Sequence, residues 1–361
     1  GLVVIKERFG TAQLPKMELI DTKYANRMKQ MKGGFSLDLI TVLQENFDQG
    51  KQSLLFQNRR GYSPYIQCQD CDWIASCNQC DVSLTYHQYR NELRCHYCGY
   101  HSAMLQNCLA CGSPELDSKG FGTEQIEVEV KALFPENKVA RMDLDTTRGK
   151  YGYEKIITSF EQQEVDILVG TQMLTKGLDF RNVRLVGIMN ADNMLNFPDF
   201  RAHERSFQLM LQVSGRAGRT DKRGKVLIQT FNPYHQILQQ VSANSFEEMF
   251  KEQLNERWQY HYPPYYRIIK LTLRHKDFNR VEGGANWLGK SFVSVFKDNV
   301  LGPTTPGISK IRNYYIRNLI IKIPQSQSLK TTKNMVIRVV NAFQAINEYR
   351  SIKLTIDVDN Y

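Results

Sequence analysis

The eight cysteines of this 361-residue chain all fall between Cys68 and Cys111, as four Cys-x-x-Cys pairs: Cys68/Cys71, Cys77/Cys80, Cys95/Cys98 and Cys108/Cys111. A Cys-x-x-Cys turn aims two thiolates at one tetrahedral ion. Two pairs therefore complete a four-sulfur zinc site, and four pairs make two sites with no thiol left over. A disulfide framework is the competing reading, but nothing in the chain points to secretion. Two Zn2+ are therefore expected. The pairs can combine sequentially, alternately or nested, and the nested arrangement is the expected one. In it Cys77, Cys80, Cys95 and Cys98 hold one ion around a small hairpin carrying Tyr86, His87, Tyr89 and Leu93. Cys68, Cys71, Cys108 and Cys111 then clamp the base, where the chain leaves and rejoins its host domain. His87, His96 and His101 are alternative ligands, less expected where sulfur suffices.

The flanking chain reads as α/β. Ser36 is a fitting N-cap for the apolar-periodic stretch from Leu37 to Phe47, with Gly50 as its C′ residue, and Ser53–Gln57 reads as a short buried strand. After the cysteines, helical patterns at 123–134, 152–163 and 200–214 alternate with apolar strands at 138–143, 165–171, 183–190 and 224–230. That alternation predicts a parallel sheet covered by helices. The expected division is one α/β domain over 1–62 and 116–235, a zinc-binding insertion over 63–115, and a smaller α+β C-terminal domain over 236–361. In the last, a helical stretch and a Tyr/Pro-rich bend (Tyr260 to Tyr266) precede strand, helix, strands, helix and strand.

Composition narrows the partners. Lys plus Arg exceed Asp plus Glu by 47 to 37, a formal charge of +10, which favours a polyanion such as nucleic acid. No apolar run approaches the roughly 18–20 residues of a membrane span, so no membrane partner is expected. The start, Gly1 to Arg8, lacks the sections of a signal peptide and reads as a strand, as expected of a piece of a longer protein.

Two runs carry chemistry. Gly170-Thr-Gln-Met-Leu-Thr-Lys-Gly-Leu-Asp-Phe180 follows the strand ending in Ile167-Leu-Val and runs into a polar loop. Gln212-Val-Ser-Gly-Arg-Ala-Gly-Arg219 closes a helix and enters a glycine-bearing turn. Two arginines three apart in such a turn suit phosphate oxygens, because the guanidinium fork meets them with paired donors. In isolation, either run also fits a plain helix end with arginines paired to nearby acids.

Together the runs are specific. The first resembles motif V of superfamily 2 helicases, and the second matches their Gln-x-x-Gly-Arg-x-Gly-Arg motif VI. Leu54-Leu-Phe-Gln-Asn-Arg-Arg-Gly-Tyr62 resembles motif IV, and a cysteine array directly after it resembles the PriA family of replication-restart helicases. Phe121–Gln125, Arg141–Arg148, Asp199–Arg205, Pro263-Pro264 and the stretch from Ile311 to Tyr315 agree with that family, which pairs its zinc ligands in the nested way.

The resemblance implies a RecA-like second helicase lobe. Arg219, as arginine finger, with Arg216, would reach the phosphates of ATP, and Gln212 would support that interface. Gly170, Thr171 and Gln172 would contact the DNA backbone, with Gly177 and Asp179 coupling it to the nucleotide. ATP and Mg2+ are implied for the intact protein. So are 3′-to-5′ unwinding and a bacterial, cytoplasmic, nucleoid-associated setting. Expected partners are branched and single-stranded DNA, the acidic tail of single-stranded DNA-binding protein, other primosome proteins and the replicative helicase loader. Lys330, Lys333 and Arg338 are candidates for part of a C-terminal binding site, or for a solvated helix face. The family's first lobe, with its Walker A lysine and Asp-Glu pair, is not recognisable, so this chain alone is expected not to turn over ATP.

One match is expected to be a decoy. Gly284-Ala-Asn-Trp-Leu-Gly-Lys-Ser291 fits the P-loop pattern. The nearest strand ends about ten residues earlier, and Trp287, Leu288, Phe292, Val295 and Phe296 read instead as an apolar helix face. The alternative function is a non-enzymatic zinc module binding nucleic acid or protein; a phosphate-reaching arginine pair is what such a module would not need.

Overall fold

The computed structural model describes residues 13–58, 65–87, 90–119, 122–144, 146–147, 149, 151–175, 180–197, 199–218 and 223–359. The expected opening strand at Gly1–Arg8, and Tyr89, Gly177, Asp179 and Arg219, lie outside the described residues. The chain divides into two compact units, 1–63 with 120–253, and 64–119 with 254–361.

The first unit is built on a six-stranded parallel sheet, in the order Lys16–Asp21, Lys225–Thr230, Val183–Ile188, Gln52–Phe56, Ile167–Gly170, Val139–Met142. Strands buried on both faces read as unbroken apolar runs rather than alternating ones. Leu54, Leu55, Phe56, Ile167, Leu168 and Val169 are all fully buried. Successive side chains point to opposite faces, so Leu54 and Phe56 join a core with Phe207 and Val213 of the helix Ala202–Ser214. Leu55 joins the other face, with Leu39 and Leu43 of Leu37–Asp48 and Ile126 and Val130 of Thr123–Leu133. Lys16–Asp21 escaped the sequence reading because it is a partly exposed edge strand with Lys16 and Glu18 interrupting the apolar run.

Local chemistry sets the helix ends. Ser36 Oγ accepts the Leu39 amide at 3.2 Å, the expected N-cap. Gly50 sits at φ +62°, where its amide reaches the Phe47 carbonyl and the Lys51 amide reaches that of Asn46, a Schellman end. The same first core takes in Ile237, Leu238, Val241 and Met249, from the helices Gln236–Ala243 and Phe246–Gln259.

In the second unit a five-stranded antiparallel sheet runs Val300–Thr304, Tyr314–Pro324, Tyr266–His275, Lys353–Val358, with Lys310–Ile311 pairing Tyr314–Tyr315. Helices Phe278–Phe296 and Leu329–Ala345 cover one face, packing Leu288, Phe292, Val336 and Phe343 on Leu271, Leu273, Leu319 and Ile321. The P-loop-like residues Gly284–Ser291 lie inside the first of these helices. A Cβ on Gly284 would meet Ile352 Cδ1 at 2.5 Å and Phe343 Cε2 at 3.3 Å, so that glycine serves the close packing of its helix on these side chains and not phosphate. Leu288, Phe292 and Phe296 are buried as expected; Val295, read as part of the apolar face, is exposed, because it points away from the sheet.

The cysteine segment belongs to this second unit. Tyr65–Cys68 pairs antiparallel with Leu116–Lys119 at its base. Thr85–His87, Glu92–Arg94 and His101–Ala103 form a three-stranded antiparallel sheet, which contains the expected hairpin and one strand more. In sequence the segment interrupts the α/β domain; in space it carries the hairpin turn of the C-terminal sheet, with the Asp81 amide on the Lys310 carbonyl and the Asn313 amide on that of Gln79, both at 2.8 Å. Among the described residues no helix is long and apolar enough to cross a membrane.

Candidate functional site

Two groups of four sulfurs are assembled, Cys68, Cys71, Cys108 and Cys111 in one and Cys77, Cys80, Cys95 and Cys98 in the other, each set within 4.8 Å. This is the nested pairing. The contacts Cys68–Cys111, Cys71–Cys108 and Cys77–Cys98 are each 3.6 Å. A zinc ion about 2.3 Å from four tetrahedral sulfurs sets them roughly 3.8 Å apart, whereas a disulfide needs about 2.05 Å. The donor sets fit zinc, and no histidine is a member of either group among the described residues.

The turns explain the spacing. Amides of Gln79, Tyr100 and Ala110 each lie 3.4 Å from the sulfur two residues before, Cys77, Cys98 and Cys108. Such donors stabilise thiolate over thiol. Gly99 and Gly112 close their turns at φ +82° and +79°, which glycine adopts without strain. Burial raises the Cys108 thiol, but the Cys111 and Ala110 amides and the neighbouring sulfurs outweigh it and bring the group down to about 7. Burial pushes Cys77 up to about 12, against the Gln79 amide. Each group thus holds one lowered thiol beside raised ones, Cys108 beside Cys71 and Cys111 in the first and Cys98 beside Cys77 and Cys80 in the second.

A fourth donor comes from outside the cysteine segment. The Arg312 amide lies 3.3 Å from Cys80 Sγ, and its guanidinium Nε donates to the Tyr97 carbonyl at 3.2 Å. Ser309 Oγ donates to Asp81 at 2.7 Å. Arg312 and Asn313 both take positive φ, 51° and 63°, which shapes the tight turn that reaches the sulfur. The run from Ile311 to Tyr315 stood out in the sequence, but nothing there indicated that its amides face a metal centre.

The helicase-like runs meet in the first unit, at the C-terminal ends of the parallel strands. Gly170 ends the Ile167–Gly170 strand where a Cβ would meet Leu174 Cγ at 2.8 Å and the Met142 carbonyl at 2.9 Å. The buried Thr171 follows, then a short 3-10 helix over Gln172–Thr175. Gln172 Nε2 donates to Asn58 Oδ1 at 3.4 Å, joining the motif V-like run to the motif IV-like one. Arg216 is only 8% exposed, and its guanidinium donates to the Thr175 carbonyl, joining the motif V-like run to the motif VI-like one. Gln212 lines a cleft of about 340 Å³ with Asn58, Gln172, Thr175 and Arg205.

The turn after Arg216 is set by glycine. Gly218 has φ +73°, and a Cβ there would lie 2.1 Å from the Gly224 amide nitrogen. Asp199 buttresses the cleft, accepting Arg201 Nε at 3.1 Å and Arg205 Nη1 at 3.2 Å. Burial raises its carboxyl, yet the Arg201 and Arg205 contacts hold it below its ordinary value of 3.8. Asn58 and Asp199 were legible only as parts of family-like runs. In the second unit Lys330, Lys333 and Arg338 are exposed on the helix Leu329–Ala345.

Comparison with known proteins gives three family matches. A family described as the PriA DNA helicase Cys-rich region matches residues 77–102, the primosomal protein N C-terminal domain matches 259–361, and the helicase conserved C-terminal domain matches 121–221. The replication restart protein PriA of Bacillus subtilis is 35% identical across 100% of this chain and 44% of its own length. That of Haemophilus influenzae is 37% identical over 99% of this chain and 48% of the relative. That of Thermotoga maritima is 32% identical, over 92% and 44%. The chain spans about half the length of the curated relatives it matches.

Proposed function

The chain belongs to the PriA family of replication restart proteins, and from that premise we propose that it forms the second motor lobe, zinc module and C-terminal domain of an ATP-dependent 3′-to-5′ DNA helicase. The intact protein recognises stalled or branched forks and starts primosome assembly in the bacterial cytoplasm, at the nucleoid. Residues 1–62 and 116–235 are the RecA-like lobe, 63–115 the zinc-binding part, and 236–361 the part that meets DNA and partners. Those partners are branched and single-stranded DNA, the tail of single-stranded DNA-binding protein, other primosome proteins and the helicase loader.

One observation carries the motor reading: the bond from the Arg216 guanidinium to the Thr175 carbonyl. It ties a run suited to phosphate to a run suited to the DNA backbone, so displacement of either is felt by the other. In the intact protein Arg219 neutralises charge on the phosphates of ATP with Mg2+, and Arg216 and Gln212 hold the turn that presents it. Thr171 and Gln172, with the Gly170 backbone, hold a DNA phosphate, and Gly177 and Asp179 link that contact to the nucleotide. An arginine in this role is worth roughly 10³–10⁵ in rate. Arg219→Ala in the intact protein should therefore abolish ATP turnover while two zinc ions per chain remain. Turnover at the unaltered rate rejects the assignment.

A further inference from the structure

The face of the five-stranded sheet opposite its helices carries an uncompensated cationic end. Ile269, Leu271 and Leu273 point to the helices, so Lys270, Thr272 and Arg274 point the other way. Cross-strand register sets Lys270 opposite Asp357, Thr272 opposite Thr355, and Arg274 opposite Lys353. The first pair is complementary. The last sets two cations directly across from each other, an arrangement that costs stability in an antiparallel sheet. Both are exposed.

The same end gathers two more groups. Lys353 Nζ lies 4.5 Å and Lys276 Nζ 5.9 Å from the centroid of the Tyr314 ring. Among the described residues none of Arg274, Lys276 and Lys353 has a carboxylate within ion-pair distance. The neighbouring Asp277 is occupied as the cap of the Phe278–Phe296 helix, accepting the Arg280 amide at 3.0 Å. A hydrogen bond from Lys353, and the charge of Lys276, lower the Tyr314 phenol, a sign of the local positive field.

We propose that Arg274, Lys276, Lys353 and Tyr314 form a single-stranded DNA site at the exposed end of this sheet face, in which the cations take successive phosphates and a base lies against Tyr314. This refines the proposed DNA-binding role of residues 236–361 and rests on it. The chemistry fits because a backbone of regularly spaced phosphates relieves the Arg274–Lys353 repulsion. The two ammonium groups are already ordered over an aromatic ring, so less side-chain freedom is lost on binding. Aromatic stacking beside cations is also the sequence-tolerant mode of single-strand recognition. An acidic peptide would satisfy the charges but leave the Tyr314 ring without a stacking partner.

The test uses the full chain with zinc bound and a short fluorescent oligothymidylate. The variant Lys276→Ala/Lys353→Ala should bind about tenfold more weakly near 0.1 M salt, with the slope of log affinity against log salt reduced by about 1.4. Tyr314→Ala should lose about tenfold with the slope unchanged. An oligonucleotide carrying 5-iodouracil should crosslink to a peptide containing Tyr314. Unaltered affinity and slope in the double variant, or crosslinks confined to residues 170–175, overturn this site while leaving the motor reading intact. Absence of oligothymidylate binding by the unaltered chain rejects both this site and the wider DNA-binding role. Loss of binding to an Asp-rich peptide with oligothymidylate binding retained overturns it in favour of an acidic partner.

Discussion

Replacing Cys95 by alanine should empty the second metal centre and release the turn docked on it, while the first centre keeps its ion. Cys95 is fully buried, in a cluster whose other fully or nearly fully buried side chains are Ile66, Ala75, Leu84, Leu93 and the sulfurs of Cys77 and Cys80. Burying a branched aliphatic side chain stabilises by about 1.5–3 kcal/mol. A structural zinc contributes about 10–16 kcal/mol in peptide systems. Metal therefore dominates the stability of this segment, and a three-sulfur site cannot hold it at full strength. The consequence reaches the C-terminal sheet, because Arg312 donates its amide to Cys80 Sγ at 3.3 Å and Asn313 to the Gln79 carbonyl at 2.8 Å. A hydrogen bond to a charged sulfur is worth about 1.5–3 kcal/mol and a neutral one about 0.5–1.5. Losing both removes roughly 2–4 kcal/mol of local protection, about two orders of magnitude in amide exchange. Metal analysis should show zinc falling from two ions to one. Hydrogen exchange should quicken at Arg312 and Asn313 but not at Leu271, in the middle of the sheet. Two ions retained, or unchanged exchange at Arg312 and Asn313, refutes the argument.

Further expectations concern the glycines and the acid limb. Gly218→Ala places a methyl 2.1 Å from the Gly224 nitrogen at φ +73°; denaturant unfolding should show a loss of about 2–5 kcal/mol, and an unchanged midpoint would contradict the close approach. Gly284→Val should destabilise through the contact with Ile352 at 2.5 Å, while Lys290→Ala, at an exposed helix position, should leave stability and nucleotide affinity alone; the reverse pattern would revive the P-loop match. Asp199 is held below its ordinary value of 3.8 in the fold. The stability this contributes is complete above that value and is lost as pH falls through the lower folded value. Asp199→Asn should flatten that acid limb of the stability profile, and an identical limb would count against the Arg201 and Arg205 contacts.

What the sequence disclosed follows the range of each signal. The Cys-x-x-Cys turns are local, so the donor atoms were legible, and the expected nested pairing agrees with Tyr65–Cys68 and Leu116–Lys119 closing the base. The fully buried strands were legible because both faces are covered, and Lys16–Asp21 was not because it is an edge. The P-loop decoy was resolved by the apolar spacing of Leu288, Phe292 and Phe296, although Val295 shows how one position can turn outward. Long-range contacts left no trace. Neither the Arg216–Thr175 bond nor the Arg312–Cys80 contact can be read from residue types, since each joins segments 41 and 232 positions apart. The opposition of Arg274 and Lys353 likewise appears only once the strand register is known.

Under the proposed function this chain supplies one half of a nucleotide cleft. The most direct measurement is ATP hydrolysis by the purified, zinc-loaded chain, with and without forked DNA, beside Lys290→Ala. No turnover above background is expected in either protein under either condition. Turnover by the unaltered chain would contradict this, and turnover lost in Lys290→Ala would locate the nucleotide at Gly284–Ser291 instead.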